Sequence, residues 1–231
     1  MAVITISRQM GAGALTIGRL VAKKLGYKMV DEEIMQMIAK ELQVSVDSVQ
    51  DIAIKVGTEG YLERFRIRNQ IGAFRKEYQK GYVKETLEEK TGHIDGKVYL
   101  ELLHKVIPII AERDNAVIIG RGGQYILAKH PKTLHVFLRA DLEIRIKNMM
   151  AEYQLDYKQA QLFVEKLAQR RLHLYRYFNE IDYDRPELYD VVFNMNRLKQ
   201  EEVAELLAEM VSRFSSLSKN QKQLEGPAET S

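Results

Sequence analysis

The segment ITISRQMGAGALTIGRL (residues 4–20) decides the fold, because it joins an apolar run to a helical pattern through a glycine turn. Residues 2–6 are short, apolar and β-branched, which predicts a buried strand. From Ala14 onward, apolar side chains recur at helical spacing until Gly26 ends the pattern. Backbone N–H groups at such a junction can bind phosphate. The segment therefore predicts either a phosphate-binding turn or a tight turn built from small residues for packing.

This glycine turn departs from the usual phosphate-binding loop, which has a glycine first and a lysine before a hydroxyl residue. Here Arg8 stands at the first glycine position and Ala14 at the lysine position, whereas the Thr16 hydroxyl is retained. Thr16 is the candidate ligand for Mg²⁺. The residues expected to contact a bound triphosphate are Gly11, Ala12, Gly13, Ala14, Leu15 and Thr16.

The composition limits the classes of function. The chain has 231 residues, of which 45% are hydrophobic and 29% charged, as is ordinary for one globular domain. Its formal charge of +3 is too small to indicate a nucleic-acid binder, and the absence of cysteine excludes disulfides and thiolate chemistry. The start of the chain lacks a leader pattern and no apolar run is long enough to span a bilayer. We therefore expect a cytoplasmic protein.

Short apolar segments alternate with helical patterns along the chain, which predicts an α/β fold with a parallel sheet covered on both faces. Ligands in such sheets bind beyond the carboxyl ends of the strands. The predicted strands are residues 2–6, 27–30, 115–120, 133–138 and 189–195.

Two charged residues follow predicted strands directly. Arg121 lies within GRGG (residues 120–123), so its side chain is expected to reach the ligand crevice, although it could instead pair with a buried carboxylate. Asp31 could orient a base or a sugar, or simply begin the helix that follows it.

The domain organisation follows from the same patterns. Residues 1–214 are predicted to form one domain, with a helical insert at 45–95 and a lid-like segment at 165–188. Residues 215–231 are polar and are predicted to form a disordered tail. The insert contains a basic stretch, residues 61–84, which could be a solvated helix face, a mobile acceptor-binding lobe or a contact for a polyanion.

Three segments together resemble the cytidylate-kinase-like family of P-loop proteins: residues 4–35, 116–146 and 189–207. The resemblance covers most of residues 2–214 but is poor over 52–95. In the first segment, the positions that match the family pattern are Ser7, Arg8, Gly11, Gly13, Gly18 and Asp31. The resemblance implies a three-layer parallel sheet of the nucleoside-monophosphate-kinase type. It also implies transfer of the γ-phosphoryl group of ATP to a nucleoside monophosphate or similar small acceptor, with Mg²⁺.

The resemblance also implies roles for individual residues. It assigns catalytic roles to Arg8, which could supply charge in place of the lysine, and to Arg121 and Arg171. The residues that it implies for substrate binding are Asp31, Arg121, Arg170 and Arg176. Guanidinium groups suit phosphates because their forked donors match the oxygens. Without the resemblance, the arginines at 170–176 would be interpreted as one solvated helix face.

Two positions depart from the family pattern: Leu15, where the family often has a basic residue, and Ala168, where it tends to have an aspartate. Ala14 departs from the general phosphate-binding loop, although the lysine is usually absent in this branch of the family. These departures leave alternatives open. The leading hypothesis is a phosphotransferase that resembles cytidylate kinase. The second is a nucleotide-binding regulator on the same fold with impaired catalysis, and the third, less favoured, is a nucleic-acid or polyanion binder that uses residues 61–84.

Overall fold

The computed structural model describes residues 2–50, 96–176, 178 and 183–224, so most of the predicted insert, including the basic stretch 61–84, lies outside the described residues. Within these ranges, one parallel sheet has the strand order β2-β3-β1-β4-β5. Its strands are β1 (Val3–Arg8), β2 (Lys28–Met29), β3 (Ala116–Ile119), β4 (Thr133–Arg139) and β5 (Val191–Asn194). The prediction of an α/β fold with a parallel sheet is confirmed.

The helices lie on both faces of this sheet. In chain order they are α1 (Ala14–Leu25), α2 (Asp31–Leu42), α3 (Gly96–Glu112), α4 (Gly123–Ile126), α5 (Leu142–Tyr153), α6 (Tyr157–Arg176) and α7 (Gln200–Leu224). A further helix begins after Ser45, whose hydroxyl oxygen caps it by accepting a 3.1 Å hydrogen bond from the backbone N–H of Ser48. The described part of that helix covers residues 46–50.

Alternating strand residues divide the core into two layers, as a sheet covered on both faces requires. Ile4 and Ile6 face one layer, where they pack among apolar residues of α1 and α7. Val3 and Ile118 face the other, among apolar residues of α2 and α3. With the sheet between them, these helices give the three-layer arrangement that the sequence predicts.

The closing helix corrects one expectation. α7 continues to Leu224, so residues 215–224 are helical, although composition predicts disorder from residue 215. The helix propagates because its first turns are anchored by buried apolar side chains such as Val203 and Leu207, and neither glycine nor proline follows before Gly226. Residues 225–231 lie outside the described part. None of the helices in the described ranges is both long and apolar enough to cross a membrane.

Candidate functional site at the carboxyl edge of the sheet

The glycine turn connects the carboxyl end of β1 to the N-terminus of α1. Gly11 and Gly13 have φ angles of +88° and +87°, in the left-handed region that favours glycine. Gly13 is the N-cap of α1, and neither a side-chain cap nor an acidic residue in the first turn satisfies the helix N-terminus. α2, α5 and α7, in contrast, all carry acidic residues in their first turns. The first turn of α1 therefore has the electrostatic character that suits an anion.

The two glycines are also required by packing. A Cβ atom on Gly11 would lie 2.6 Å from the backbone carbonyl oxygen of Arg145, and one on Gly13 would lie 2.6 Å from Nε2 of Gln200. The missing side chain of Gly13 would thus point at α7. A bulky substitution there would strain the turn itself and would not test directly whether phosphate approaches it.

Ala14, at the position where a lysine is usual, is only 4% exposed and belongs to the apolar cluster that contains Ile17. The structure therefore uses this position for core packing. Leu15 is partly buried against the same cluster, and Thr16 is half-buried in the first turn of α1.

Polar side chains hold the turn in place. Asn148 Nδ2 donates to the Gly11 carbonyl oxygen at 2.7 Å. Gln9 connects the turn to two other segments: its Nε2 donates to Asp184 Oδ2 at 3.1 Å, and its Oε1 accepts from the backbone N–H of Ala140 at 3.0 Å. The sequence patterns singled out neither Gln9 nor Asn148. These bonds fix the turn without any ligand.

Arg121 lies in a strained turn at the end of β3. Its φ angle is +57°, the following Gly122 has a φ of +69°, and the backbone N–H of Gly123 donates to the Gly120 carbonyl oxygen at 3.0 Å. Two successive positive φ angles inside such a bond define a type I′ turn, which normally places Asn, Asp or Gly at both positions. An arginine here is unfavourable, and strain of this kind concentrates at functional sites.

The side chain of Arg121 is held at two points. Its Nε donates to Asp31 Oδ1 at 2.8 Å and its Nη1 donates to the Tyr99 hydroxyl at 2.6 Å. Burial opposes its charge, but Tyr99 and Asp31 outweigh burial and raise the pKa of Arg121. Arg121 thus pairs with a carboxylate, but that carboxylate is 46% exposed rather than buried. Asp31 also begins α2, as the second alternative for that residue proposed.

The guanidinium of Arg8 lies beside the end of β3, since a Cβ atom on Gly120 would come within 2.5 Å of Arg8 Nη1. Burial, followed by the repulsion of Arg171, lowers the pKa of Arg8 to about 10. Arg121 also lowers it, whereas Tyr175 and Asp31 act in the opposite direction. Arg8 therefore shares its surroundings with the other two arginines that the sequence singled out.

Arg171 enters the same region from α6 and is only 9% exposed. Its Nε and Nη2 both donate to the Tyr175 hydroxyl, at 3.2 and 3.1 Å, and its Cζ lies 4.5 Å from the ring centroid of Tyr183. Among the described residues, its Nη1 has no hydrogen-bond partner. Burial opposes its charge, but the nearby tyrosine hydroxyls raise its pKa overall. The side chains of Arg170 and Arg176 lie outside what the structure describes.

Aromatic side chains pack α6 onto the sheet. The rings of Tyr175 and Tyr183 stack with centroids 4.8 Å apart, and Phe178 stacks on Tyr125 at 5.3 Å. Phe178 also covers the turn that carries Arg121, because a Cβ atom on Gly122 would lie 2.4 Å from its ring. This contact places Phe178 over the turn that follows the carboxyl end of β3.

Besides Gln9 and Asn148, sequence reasoning missed three residues near the arginines. Tyr175 was detectable, because it follows Arg171 by four residues and so shares its helix face. Gln124 follows the GRGG segment directly, and its side-chain oxygen accepts a 2.9 Å hydrogen bond from the Ser7 hydroxyl. No sequence pattern indicated Tyr99, because an apolar-rich helix does not show which of its tyrosine hydroxyls will accept a hydrogen bond from an arginine distant in the chain.

Comparisons with known proteins agree with the fold. The model of the cytidylate kinase-like family matches residues 3–197. A search of curated proteins finds no match. Among solved structures, an uncharacterized protein from Eubacterium ventriosum has a TM-score of 0.61 at 17% identity, with 92% of this chain and 98% of that chain covered.

Two shikimate kinases align less well. The enzyme from Acinetobacter baumannii has a TM-score of 0.45 at 15% identity, covering 92% of this chain and 94% of its own. The one from Bacteroides thetaiotaomicron has a TM-score of 0.46 at 16% identity, covering 91% and 98%. The family match spans most of the chain and includes the glycine turn, Asp31, Arg121 and Arg171, so the chain belongs to the cytidylate kinase-like family.

Proposed function

We propose that the protein is a phosphotransferase that moves the γ-phosphoryl group of ATP to a nucleoside monophosphate or similar small acceptor, in the cytoplasm. The observation that carries the proposal is the convergence of Arg8, Arg121 and Arg171 at the carboxyl edge of the sheet. Arg121 pairs with Asp31, but Arg8 and Arg171 form no salt bridge with an acidic side chain of the described ranges. Buried positive charges without acidic partners favour the binding of an anion.

The ATP phosphates would bind at the glycine turn. The uncapped first turn of α1 offers backbone N–H groups and a positive helix end, and the turn is already held by Gln9 and Asn148. Mg²⁺ in such sites is bound by one or two protein oxygens together with substrate phosphates. The half-buried Thr16 hydroxyl at this helix start fits that role, and no cluster of three or more acidic or histidine side chains among the described residues competes for the metal.

The acceptor would bind on the β3 side of the crevice. Arg121, held by Asp31 and Tyr99, would face its phosphate, and Arg171 would approach from α6 with Arg170 and Arg176 nearby on the same helix. Phosphoryl transfer depends on positioning and on neutralising charge, and both improve when water is excluded. Closure of the lid-like segment 165–188 over this edge would provide that exclusion.

A second candidate is a nucleotide-binding regulator without useful catalysis. It is favoured by one observation: Ala14 is a core residue, so position 14 does not supply the lysine that would face the β- and γ-phosphates. On this view the arginines would bind the ligand without promoting transfer. The two candidates predict the same nucleotide binding, but only the phosphotransferase predicts turnover.

The test measures phosphoryl transfer from ATP to a panel of nucleoside monophosphates, with and without Mg²⁺. The wild type should form ADP and a phosphorylated acceptor. Arg171→Lys should lower kcat on the order of 100-fold, because lysine keeps the charge but loses the forked donors. Arg113→Lys is the matched control, because Arg113 is exposed and pairs with Glu33 away from the site.

ATP binding without transfer to any acceptor would support the regulator. A wild type that binds no nucleotide would contradict both candidates.

A further inference from the structure

We infer that Tyr99 is a positioning residue for the acceptor: its hydroxyl fixes the guanidinium of Arg121 so that Nη2 is left to bind an oxyanion; this rests on the proposed function and adds a residue to its acceptor side.

The two partners of Arg121 hold different nitrogens of its guanidinium. Asp31, at the start of α2, accepts from Nε at 2.8 Å, and Tyr99, near the start of α3, accepts from Nη1 at 2.6 Å. Two contacts at different nitrogens of a rigid planar group fix both its place and the orientation of its plane. Among the described residues, no hydrogen bond uses Nη2. The N–H groups of Nη2 therefore remain for a ligand.

Tyr99 is the more rigid of the two partners. It is 2% exposed and packs in the core layer that contains Ile34 and Leu103. The Asp31 side chain, in contrast, is 46% exposed. A ring in a close-packed core keeps its place, whereas an exposed carboxylate can turn toward water or toward a ligand. The Tyr99 hydroxyl therefore sets where the guanidinium of Arg121 lies, even when Asp31 moves.

Tyr99 also holds the guanidinium without neutralising it. Burial raises the pKa of Tyr99, and the opposing effect of Arg121 is smaller, so the hydroxyl keeps its proton at neutral pH. A second carboxylate at this place would compete with an anionic ligand for the charge of Arg121. A neutral acceptor fixes the geometry and leaves the charge available for a charge-assisted hydrogen bond to the ligand.

The backbone of Arg121 constrains the other end of the same side chain. Its φ angle is +57°, within a turn that the bond from the Gly123 N–H to the Gly120 carbonyl oxygen closes. An arginine that is fixed at both ends loses little further freedom when a ligand binds, and that loss would otherwise weaken the affinity. Removal of the Tyr99 hydroxyl should therefore impair binding and transfer, and not only the stability of the fold.

The first test observes the guanidinium by nitrogen NMR without any nucleotide. The wild type should show separate signals for Nη1 and Nη2 of Arg121, assigned by their absence in Arg121→Met. Tyr99→Phe keeps the ring but removes the hydroxyl, so the two signals should merge as rotation becomes free. Tyr27→Phe is the matched control, because the Tyr27 hydroxyl accepts from the backbone N–H of Ala2 at 3.2 Å, at the opposite edge of the sheet. This control should leave the Arg121 signals separate.

The second test measures phosphoryl transfer from ATP to the panel of nucleoside monophosphates. Tyr99→Phe should lower kcat about tenfold, because a misplaced group slows transfer, and it should leave the KM for ATP close to that of the wild type. In the Arg121→Met background, Tyr99→Phe should have little further effect, because no guanidinium remains to be positioned. A tyrosine with a merely structural role would cause the same loss in both backgrounds. Tyr27→Phe should keep the wild-type kcat.

A third measurement keeps the inference separate from the proposed function. Inorganic phosphate is titrated without ATP and followed through the backbone amide signals of residues 120–123. The wild type should show saturable shifts, and Tyr99→Phe should bind phosphate about fivefold more weakly, the effect of one side chain that must be ordered on binding. If this holds but the wild type transfers no phosphoryl group, the proposed function fails and the inference stands.

Three results would overturn the inference. The first is that the Nη signals of Arg121 stay separate in Tyr99→Phe. The second is that Tyr99→Phe binds phosphate as tightly as the wild type, or that the signals of the wild type do not respond to phosphate. The third is that an active wild type loses no kcat in Tyr99→Phe, or that the loss is undiminished in the Arg121→Met background. In that third case the proposed function stands and only the inference fails.

Discussion

At the scale of single residues, Arg8 and Arg121 both occupy positions that work against the stability of the fold. Arg8 is a charged group with a pKa lowered to about 10, mainly by burial and then by Arg171. Arg121 takes a left-handed backbone conformation with a φ of +57°. Neither feature helps the chain to fold. Destabilising features of this kind persist where activity needs them. A substitution that removes one of them should therefore raise the free energy of unfolding and lower activity.

For Arg8, we predict that Arg8→Met raises the free energy of unfolding at neutral pH by about 1 kcal/mol, because an apolar side chain of similar length replaces a partly buried charge. The same variant should lose on the order of 100-fold or more in phosphoryl transfer, the effect of removing one preorganised donor. Urea unfolding and steady-state kinetics measure the two effects.

The pH dependence of Arg8 provides a further check. The folded protein releases this proton at a lower pH than the unfolded chain does, so the unfolded chain binds more protons above a pH of about 10. The contribution of Arg8 to stability should therefore improve as the pH rises beyond that value. Arg113→Met, an exposed control, should neither raise the free energy of unfolding at neutral pH nor lower the rate of phosphoryl transfer. A variant Arg8→Met less stable than the wild type would contradict the prediction.

For Arg121, we compare Arg121→Gly with Arg121→Ala. Both remove the contacts to Asp31 and Tyr99, so both should lose acceptor binding equally. Glycine adopts a positive φ freely, whereas alanine does not, so Arg121→Gly should be more stable than Arg121→Ala by about 1 kcal/mol. Urea unfolding measures the difference. Equal stabilities would show that the turn holds no strain, and retained acceptor affinity would show that Arg121 does not bind the ligand.

At the scale of elements, most of the secondary structure could be predicted from the sequence. α2 begins at Asp31 and ends at Leu42, as its acidic start and apolar spacing indicate. α1 ends at Leu25, and Gly26 caps it in the left-handed conformation. Local signals suffice there because caps and periodicity act within a few residues. The helical continuation to Leu224 was not predictable in this way, since it depends on propagation from turns that pack on the sheet.

The contacts at the end of α6 were harder to predict from the sequence. The sequence showed the arginines at 170–176. It did not show that Arg171 would donate two hydrogen bonds to Tyr175, or that Phe178 would cover the Gly122 turn. The contact of Phe178 with Gly122 joins residues more than 50 positions apart, and periodicity carries no information on such a pair. Tyr175 lies only four residues after Arg171, so its place on the same helix face was visible, but its two hydrogen bonds were not. The docked end of α6 is therefore a finding of the structure, and it can be tested through the hydroxyl that anchors it.

We predict that Tyr175→Phe lowers the free energy of unfolding by about 1–3 kcal/mol, because it leaves buried Arg171 with additional unpaired donors. Hydrogen exchange across residues 165–176 should rise, and ATP together with a true acceptor should restore part of the protection by giving Arg171 an anion. Tyr157→Phe is the control at the other end of α6, where an exposed hydroxyl donates to Glu143. An exchange rate that does not respond to Tyr175→Phe would show that Arg171 does not hold this end of the helix.

At the scale of the whole molecule, the candidate site joins segments that are distant in the chain: the turn after β1, the turn after β3, and α6. The order β2-β3-β1-β4-β5 makes this possible, because it sets β1 between β3 and β4 and brings their carboxyl ends to one edge. Alternation of strands and helices predicted a parallel sheet, and the resemblance predicted its type. The resemblance also assigned Arg8, Arg121 and Arg171 to one site, but the contacts that bring Arg171 close to Arg8 depend on the packing of α6.

Ligand binding should therefore stabilise the entire domain. A ligand at about 100 times its Kd adds about 2.7 kcal/mol to the free energy of unfolding, and for a chain of this size that corresponds to a rise in Tm of about 5–10 °C. We predict such a rise with ATP and Mg²⁺, and a further rise when a true acceptor is added, because acceptor and ATP occupy different sides of the crevice. A nucleoside monophosphate panel in a thermal unfolding assay identifies the acceptor.

The pattern of shifts separates the three hypotheses for the whole chain. The Tm of a phosphotransferase should rise with ATP and rise further with one class of acceptor. Arg171→Ala should lose most of the rise caused by the acceptor. It should keep most of the rise caused by ATP, because Gln9 and Asn148 hold the glycine turn independently of Arg171. A regulator would respond to ATP without any added effect of an acceptor. A polyanion binder that uses residues 61–84 would instead bind oligonucleotides with an affinity that falls steeply with salt. Loss of the ATP response together with the acceptor response in Arg171→Ala would show that the two sides of the crevice are not independent, contrary to our assignment.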